Sequence, residues 1–340
     1  MNIIQSLQKN PDLWDLFTCR EEYHSPLRDR YDRFPYYAST NRNIFEPRVS
    51  QYLHDEGYRL EYPEGKKFAV CLTHDIDVLY KTTVSKGFAA LQNLQGSRFS
   101  GFLHSVMEMH SKKIPWYNFC ETMALEDQYG AKSSFYVLAQ NPDDPYYTYD
   151  IRDCETTFGE IIDNGWEVGL HGSESAYNNP VEIREKKQKL EKILNKSVVG
   201  YRNHFLRFRV PETWEHVRDA GFLYDSTLGY ADCIGFRNGM CHPFKPYNLT
   251  QQHEIDLIEI PLTIMEETLD RYMKLDSRTA WAMITRLIDS VEACEGVITL
   301  LWHNTYLVDE HRKFYEKILK YCADKNAWMT SGEEIIRLVR

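Results

Sequence analysis

Short apolar runs of strand length recur along most of this chain, and stretches with helical patterning separate them. The runs are Phe68–His74, Ser133–Ala139, Glu167–His171, Val198–His204, Leu223–Thr227, Leu257–Ile264 and Val297–His303, with a last short one at Ala327–Thr330. Helical patterns fill 117–128, 156–163, 181–194, 212–219, 278–293, 310–323 and 333–339. Unbroken apolar runs suit strands buried on both faces. Their alternation with helices predicts a parallel sheet with helices outside. Seven or eight such strands fit a distorted, closed or nearly closed (β/α) barrel of seven to eight units. Gly130, Gly165 and Gly221 follow expected helix ends, as C-caps do. Ser331 and Glu334 read as a capping box opening the last helix.

The 340 residues are enough for one such domain and an extension. Residues 1–66 lack clear periodicity and close on the turn signal Pro63-Glu64-Gly65. They are expected to form an N-terminal extension packed on a barrel of residues 67–340. Two long connections, Lys81–Lys113 (helical in part) and Asn141–Asp153, should emerge at one barrel mouth. Either could shape a substrate groove, and either could equally be an ordinary surface loop.

A parallel arrangement brings the carboxyl ends of all strands to one cavity. The first run ends in Thr73-His74-Asp75-Ile76-Asp77. Residues two apart in a strand point to the same side, so Asp75 and Asp77 should project together. Adjacent carboxylates repel unless a cation lies beside them. A divalent metal answers that, with one carboxylate as ligand and the other as base for the metal's water. An isolated Asp-x-Asp more often caps the next helix, and a single strand-end His is more often structural. Here, however, His171, Arg202, His204, Asp225 and His303 also fall at or beside the ends of later runs.

Composition narrows the field. A net charge of -10 disfavours nucleic acid and anionic membranes as partners. The eight cysteines include no Cys-x-x-Cys pair, which fits free thiols in a reducing compartment. The first residues show neither a signal peptide nor a membrane span, so a cytoplasmic protein is expected. Aromatic residues reach 14%, with 23 Tyr, a hint of platforms for sugar rings.

These blocks, over roughly residues 67–340, resemble the polysaccharide deacetylases (carbohydrate esterase family 4, the NodB-homology group). The likeness is nearest to a branch with a Thr-His-Asp-x-Asp first motif. The resemblance implies a distorted (β/α) barrel that removes N- or O-linked acetyl groups from carbohydrates with a divalent metal, usually zinc. It implies that Asp75 is the general base, and that Asp77 and His171 are metal ligands. Arg202 would orient the base or the substrate, and His303, in Leu301-Trp302-His303, would be the general acid. Asp225 lies near the fourth motif and is assigned, with His204 and Arg237, to the substrate. Arg237, between Gly235 and Gly239, could hold a substrate oxygen or carboxylate; a surface ion pair is the equal alternative. Ile260-Pro261-Leu262 is expected to line the cavity with apolar atoms.

One departure matters. The family's second motif carries another metal-binding His four residues after the first, and here Ser175 occupies that place. Hydroxyls are poor zinc ligands beside imidazole. The third ligand could be His74, His204, Glu174 or water, or metal binding could be weakened. Three other readings compete. One is a glycosyltransferase using Asp-x-Asp with a metal and a nucleotide-sugar, another a non-catalytic sugar binder. The third is a barrel hydrolase of a different C–N bond.

Overall fold

A computed structural model describes residues 2–79 and 117–340. The expected connection Lys81–Lys113 lies outside the described residues. The strands are β1 Ala69–Ile76, β2 Ser134–Leu138, β3 Glu167–Gly172, β4 Gly200–Asn203, β5 Tyr224–Asp225, β6 Tyr247–Asn248, β7 His253–Glu254, β8 Ile258–Glu259, β9 Ile264–Met265, β10 Val297–Leu301 and β11 Trp328–Thr330. Helices α1 Ile3–Leu7, α2 Pro11–Phe17 and α3 Arg48–Asp55 precede the sheet. Helices α4 Phe119–Asp127, α5 Glu155–Asp163, α6 Pro180–Leu194, α7 Glu212–Asp219, α8 Ser277–Ala293, α9 Asp309–Asp324 and α10 Gly332–Val339 alternate with it.

One nine-stranded parallel sheet runs β8-β5-β4-β3-β2-β1-β10-β9, with β11 also paired to β1, and curls into a half-barrel. β1 is its hub because all eight of its residues are buried. It pairs with β10 along Ala69–Thr73, with β11 along Ala69–Cys71, and with β2 along Thr73–Ile76. Side-chain alternation sorts this strand into two layers. Val70 and Leu72 join the outer core with Ile284, Leu287, Ile318 and Leu319 of α8 and α9. Ala69 and Cys71 face the barrel interior with Tyr136 and Tyr224. The same alternation sends Asp75 to the interior side and His74 to the helix layer.

The expected strand Leu257–Ile264 is a correction. Its two ends form separate strands, β8 paired with β5 and β9 paired with β10. Pro261 lies between them and has no N–H to give a ladder. The intervening chain crosses the sheet's open side, with Leu262 N–H donating to Leu228 O and Thr263 N–H to Thr299 O. The other seven strands stand within the expected runs or within two residues of them. β6 and β7, a small antiparallel pair, had no counterpart among the expected strands.

The N-terminal helices bury Leu7, Leu13, Trp14, Phe17, Val49 and Leu53 in the same cluster as Met240 and Phe244. Ser331 caps α10 by accepting from Glu334 N–H, as its sequence position predicts. The described cysteines are free thiols, seven of the eight buried. Among the described residues no helix is long and apolar enough to cross a membrane.

Candidate metal and acid–base site

The strand ends converge on a cleft of about 350 Å³ lined by Asp75, Asp77, His171, His204 and His303 together with Arg33, Phe205, Leu206, Met265, Glu267, Arg271, Tyr272 and Leu301. Parallel register does the gathering: Leu138 lies opposite His171, and His171 opposite Arg202. Asp77, His171 and His204 offer ligand atoms that all lie within 4.8 Å of one another. His171 Nε2 stands 3.2 Å from Asp77 Oδ1, and His204 Nε2 stands 3.6 Å from the same oxygen.

These residues fit a divalent ion. Asp77 Oδ1 and His171 Nε2 are buried and have no hydrogen-bond partner among the described residues. His171 Nδ1–H donates to the Arg202 carbonyl at 3.0 Å, which leaves its Nε2 lone pair facing Asp77. Fixing the far nitrogen in this way is how metal-binding imidazoles are oriented. One carboxylate and two imidazoles match zinc's preferred donors, with a position left for water or substrate. Burial would raise the Asp77 carboxyl, yet the imidazoles of His204, His171 and His303 outweigh it and hold Asp77 well below the usual carboxylate range. The same partners lift His171: burial works against its charge, but Asp75 and Asp77 prevail.

Further titratable groups flank these three residues. Asp75 Oδ2 is 3.6 Å from His171 Nε2, and its Oδ1 is 3.6 Å from Arg202 Nη1. Arg202 is fully buried, donates to Ser226 Oγ at 2.9 Å and lies over the Tyr136 ring at 4.9 Å. Opposite, His303 Nε2 is 3.7 Å from Asp77 Oδ2. His303 Nδ1 meets Glu266 Oε1 at 2.5 Å, and the same oxygen accepts from the His303 backbone N–H at 3.1 Å. Burial opposes charge on His303, but Glu266 and the two aspartates raise its imidazole well above the ordinary value. Glu266 was missed from sequence, although it follows directly on the apolar pair Ile264-Met265 at a strand end.

His204, assigned to the substrate from sequence and also one of the open choices for a third ligand, stands beside Asp77 and His171. Ser175 is not there: its hydroxyl donates to Glu182 Oε2 at 2.7 Å. His74 is excluded, since its Nδ1 meets the Trp302 carbonyl at 2.7 Å and its Nε2 meets Glu126 at 2.8 Å in the helix layer. Glu174 pairs with Arg207 at 3.3 Å.

Two substrate assignments are corrected. Arg237 points into the N-terminal segment, donating from Nε to Glu22 Oε1 at 2.9 Å and from Nη1 to the Gly229 carbonyl at 2.8 Å. Its flanking glycines serve close backbone approach: a Cβ on Gly235 would lie 2.4 Å from the Ile44 carbonyl oxygen. Asp225 is fully buried below the cleft, accepts from Thr227 Oγ1 at 2.6 Å, and is hydrogen-bonded to Glu259. Burial raises both carboxyls of that pair, so they share a proton. Apolar lining comes from Leu206, Met265 and Leu301; the expected Ile260-Pro261-Leu262 does not line the cleft, Leu262 lying in the same apolar cluster as these three.

The Asn141–Asp153 connection does reach the site. Thr148 Oγ1 donates to the Asp77 carbonyl at 2.5 Å, and Tyr149 OH to the Ile76 carbonyl at 2.7 Å. After His204 the chain turns sharply, with Phe205 and Leu206 at φ 59° and 53°. Left-handed backbone at bulky residues costs roughly 1–3 kcal/mol each and persists only where surroundings enforce it.

A curled parallel half-barrel thus carries two carboxylates, three imidazoles and a buried arginine at its mouth. The fold is that of the polysaccharide deacetylase (NodB-homology) barrel. A protein assigned as a polysaccharide deacetylase from Mycobacterium smegmatis superposes with TM-score 0.55 at 16% identity, over 83% of this chain and 94% of that one. Another so assigned, from Pseudomonas aeruginosa PAO1, gives TM-score 0.53 at 14% identity over 81% and 92%. PuuE allantoinase gives TM-score 0.54 at 12% identity over 91% and 97%. No family model and no curated sequence matches the chain.

Proposed function

We propose that this protein is a metal-dependent hydrolase that removes acetyl groups from N- or O-acetylated sugars. The observation that carries this is the grouping of Asp77, His171 and His204 within 4.8 Å, flanked by Asp75 and by the His303–Glu266 pair. Asp77, His171 and His204 would hold the ion, with zinc best suited to the donors. A bound divalent ion supplies Lewis acidity and a water that ionises near neutral pH.

The chain's own groups account for the proton transfers. Asp75, steadied by Arg202, takes a proton at the attacking side. His303 is held protonated by Glu266 and gives a proton to the leaving amine or alkoxide. Leu206, Met265 and Leu301 offer an apolar surface for the acetyl methyl, and Tyr272 offers a ring face for a sugar. Glycosyl transfer leaves His303 and Glu266 without work, and simple binding has no use for a base and an acid. Hydrolysis of another C–N bond in a small molecule is the second reading. The cleft volume favours it, being near the low end of the roughly 300–1,000 Å³ of small-molecule sites.

The test is metal content by mass spectrometry on wild type, Asp77→Ala, His171→Ala and His204→Ala after zinc loading, followed by acetate release from acetylated sugars. About one equivalent in wild type, lost in the variants, with acetate released, is the expected result. Zinc uptake without acetate release, but with cleavage of another amide, would move the reading to the second class.

A further inference from the structure

The two imidazoles of the ligand group are held by different means. His171 has its far nitrogen fixed on the Arg202 carbonyl. His204 Nδ1 has no hydrogen-bond partner among the described residues. Its ring is set by packing: Phe205 stacks on it at 3.9 Å between centroids with 13° between planes. Phe205 presents that face from a left-handed backbone, φ 59°. Something outside the turn must hold it there.

The holders come from the segment before the first strand. Tyr31 stacks on the other side of the ladder, 4.8 Å from Phe205 at 20°. Arg33 Nη1 donates to the Phe205 carbonyl at 2.9 Å, and its Nη2 donates to Tyr272 OH at 3.1 Å. Asp29 Oδ2 accepts from Arg33 Nε at 2.7 Å and fixes the guanidinium. Arg33 is buried, and it lines the same cleft as Asp77, His171 and His204. It also spans two loops, one after β4 and one after the edge strand β9.

We propose that Tyr31 and Arg33 are positioning residues for His204, so that the N-terminal segment is a working part of the metal site. This rests on the reading of Asp77, His171 and His204 as ligands. It accounts for how the chain manages without a second histidine at Ser175. The substitute ligand comes from a strained turn, and the extension braces that turn.

The experiment measures zinc affinity by chelator competition, and thermal stability of the apo form, on the full chain. The proteins are wild type, Tyr31→Ala, Arg33→Met, Arg33→Lys and His204→Ala, with Arg33→Met and Tyr31→Ala each also combined with His204→Ala. Removing the support of a metal-binding imidazole commonly costs about 10–100-fold in affinity. Arg33→Met and Tyr31→Ala are expected to weaken zinc by roughly 10-fold or more, Arg33→Lys by less. In the His204→Ala background neither change should weaken zinc further, because coupled residues are not additive. Tyr31 is only half-buried, so its variant keeps the test alive should Arg33→Met fail to fold. Unchanged zinc affinity in both single variants, or an equal loss with and without His204, would overturn the positioning role alone. A wild type that takes up no zinc would overturn it together with the metal site.

Discussion

Asp75 and Asp77 are two residues apart, and their neighbours give them different work. Asp77 faces three imidazoles, while Asp75 faces one imidazole and the buried guanidinium of Arg202. Asp75→Asn is therefore expected to keep the metal and lose roughly 10²–10⁴ in kcat, the usual share of a general base. Metal analysis beside the acetate assay checks both halves. On the other flank, Glu266→Gln keeps an acceptor for the His303 backbone N–H but removes the charge that sustains the imidazolium. A fall in kcat of about 10-fold or more with little change in KM is expected, read from steady-state kinetics. Most of these residues were legible because each closes an apolar run. His74 could have been set aside as well: period-two alternation puts it on the face of Val70 and Leu72, opposite Asp75. His204 could not be told from Glu174 as a ligand, since one closes a run and the other lies three residues past one, and neither position fixes where the side chain points. Arg237 misled because its glycines do report close approaches, but to the N-terminal segment: Gly235 to Ile44, and Gly239 to Leu16 and Val49.

Elements followed the sequence where local signals agreed, and failed where one residue had a long-range reason. Ser331 is such an agreement. Its hydroxyl accepts from Glu334 N–H at the start of α10, and Gly332 N–H donates to Ser134 Oγ at 2.9 Å. Ser331→Ala should cost about 1 kcal/mol, a fall in Tm of roughly 2 °C. Denaturant midpoints at fixed pH would register it. The run Leu257–Ile264 shows the opposite case. Eight apolar-rich residues read as one strand, yet the sheet ends at β8 and begins again at β9. Only curvature of the whole sheet requires the chain to leave one edge and join the other there. Pro261 permits the break without announcing it.

At the scale of the molecule, the base of the barrel carries its own titratable group, remote from the cleft's chemistry. Glu167 opens β3 with its carboxylate buried, as Glu167 Oε2 accepts from Ser134 Oγ at 2.6 Å and from Glu333 N–H at 2.8 Å. Tyr224 OH meets Oε1 at 2.8 Å and Tyr136 OH at 2.9 Å. The network joins β2, β3, β5 and the first turn of α10, so it ties the two ends of the barrel sequence together. Burial is the main cause that lifts the Glu167 carboxyl from its ordinary 4.5 to about 7, and the carboxylate of Glu333 adds to it. The sign follows from proton counting. Below about pH 4.5 both folded and unfolded chains hold the proton. Between there and about 7 the unfolded chain has lost it while the folded one keeps it, so stability falls as pH rises. Above about 7 the carboxylate is ionised in both states and the penalty is constant, at most roughly 3 kcal/mol. Glutamine imitates the protonated acid, with an oxygen for Ser134 and Glu333 and an N–H for Tyr224. Glu167→Gln should therefore match wild type near pH 4.5 and exceed it increasingly up to pH 8, in urea midpoints taken across that range. A difference that stays flat with pH would mean that Glu167 titrates as an ordinary surface acid, and that the base of the barrel is wetter than its packing indicates.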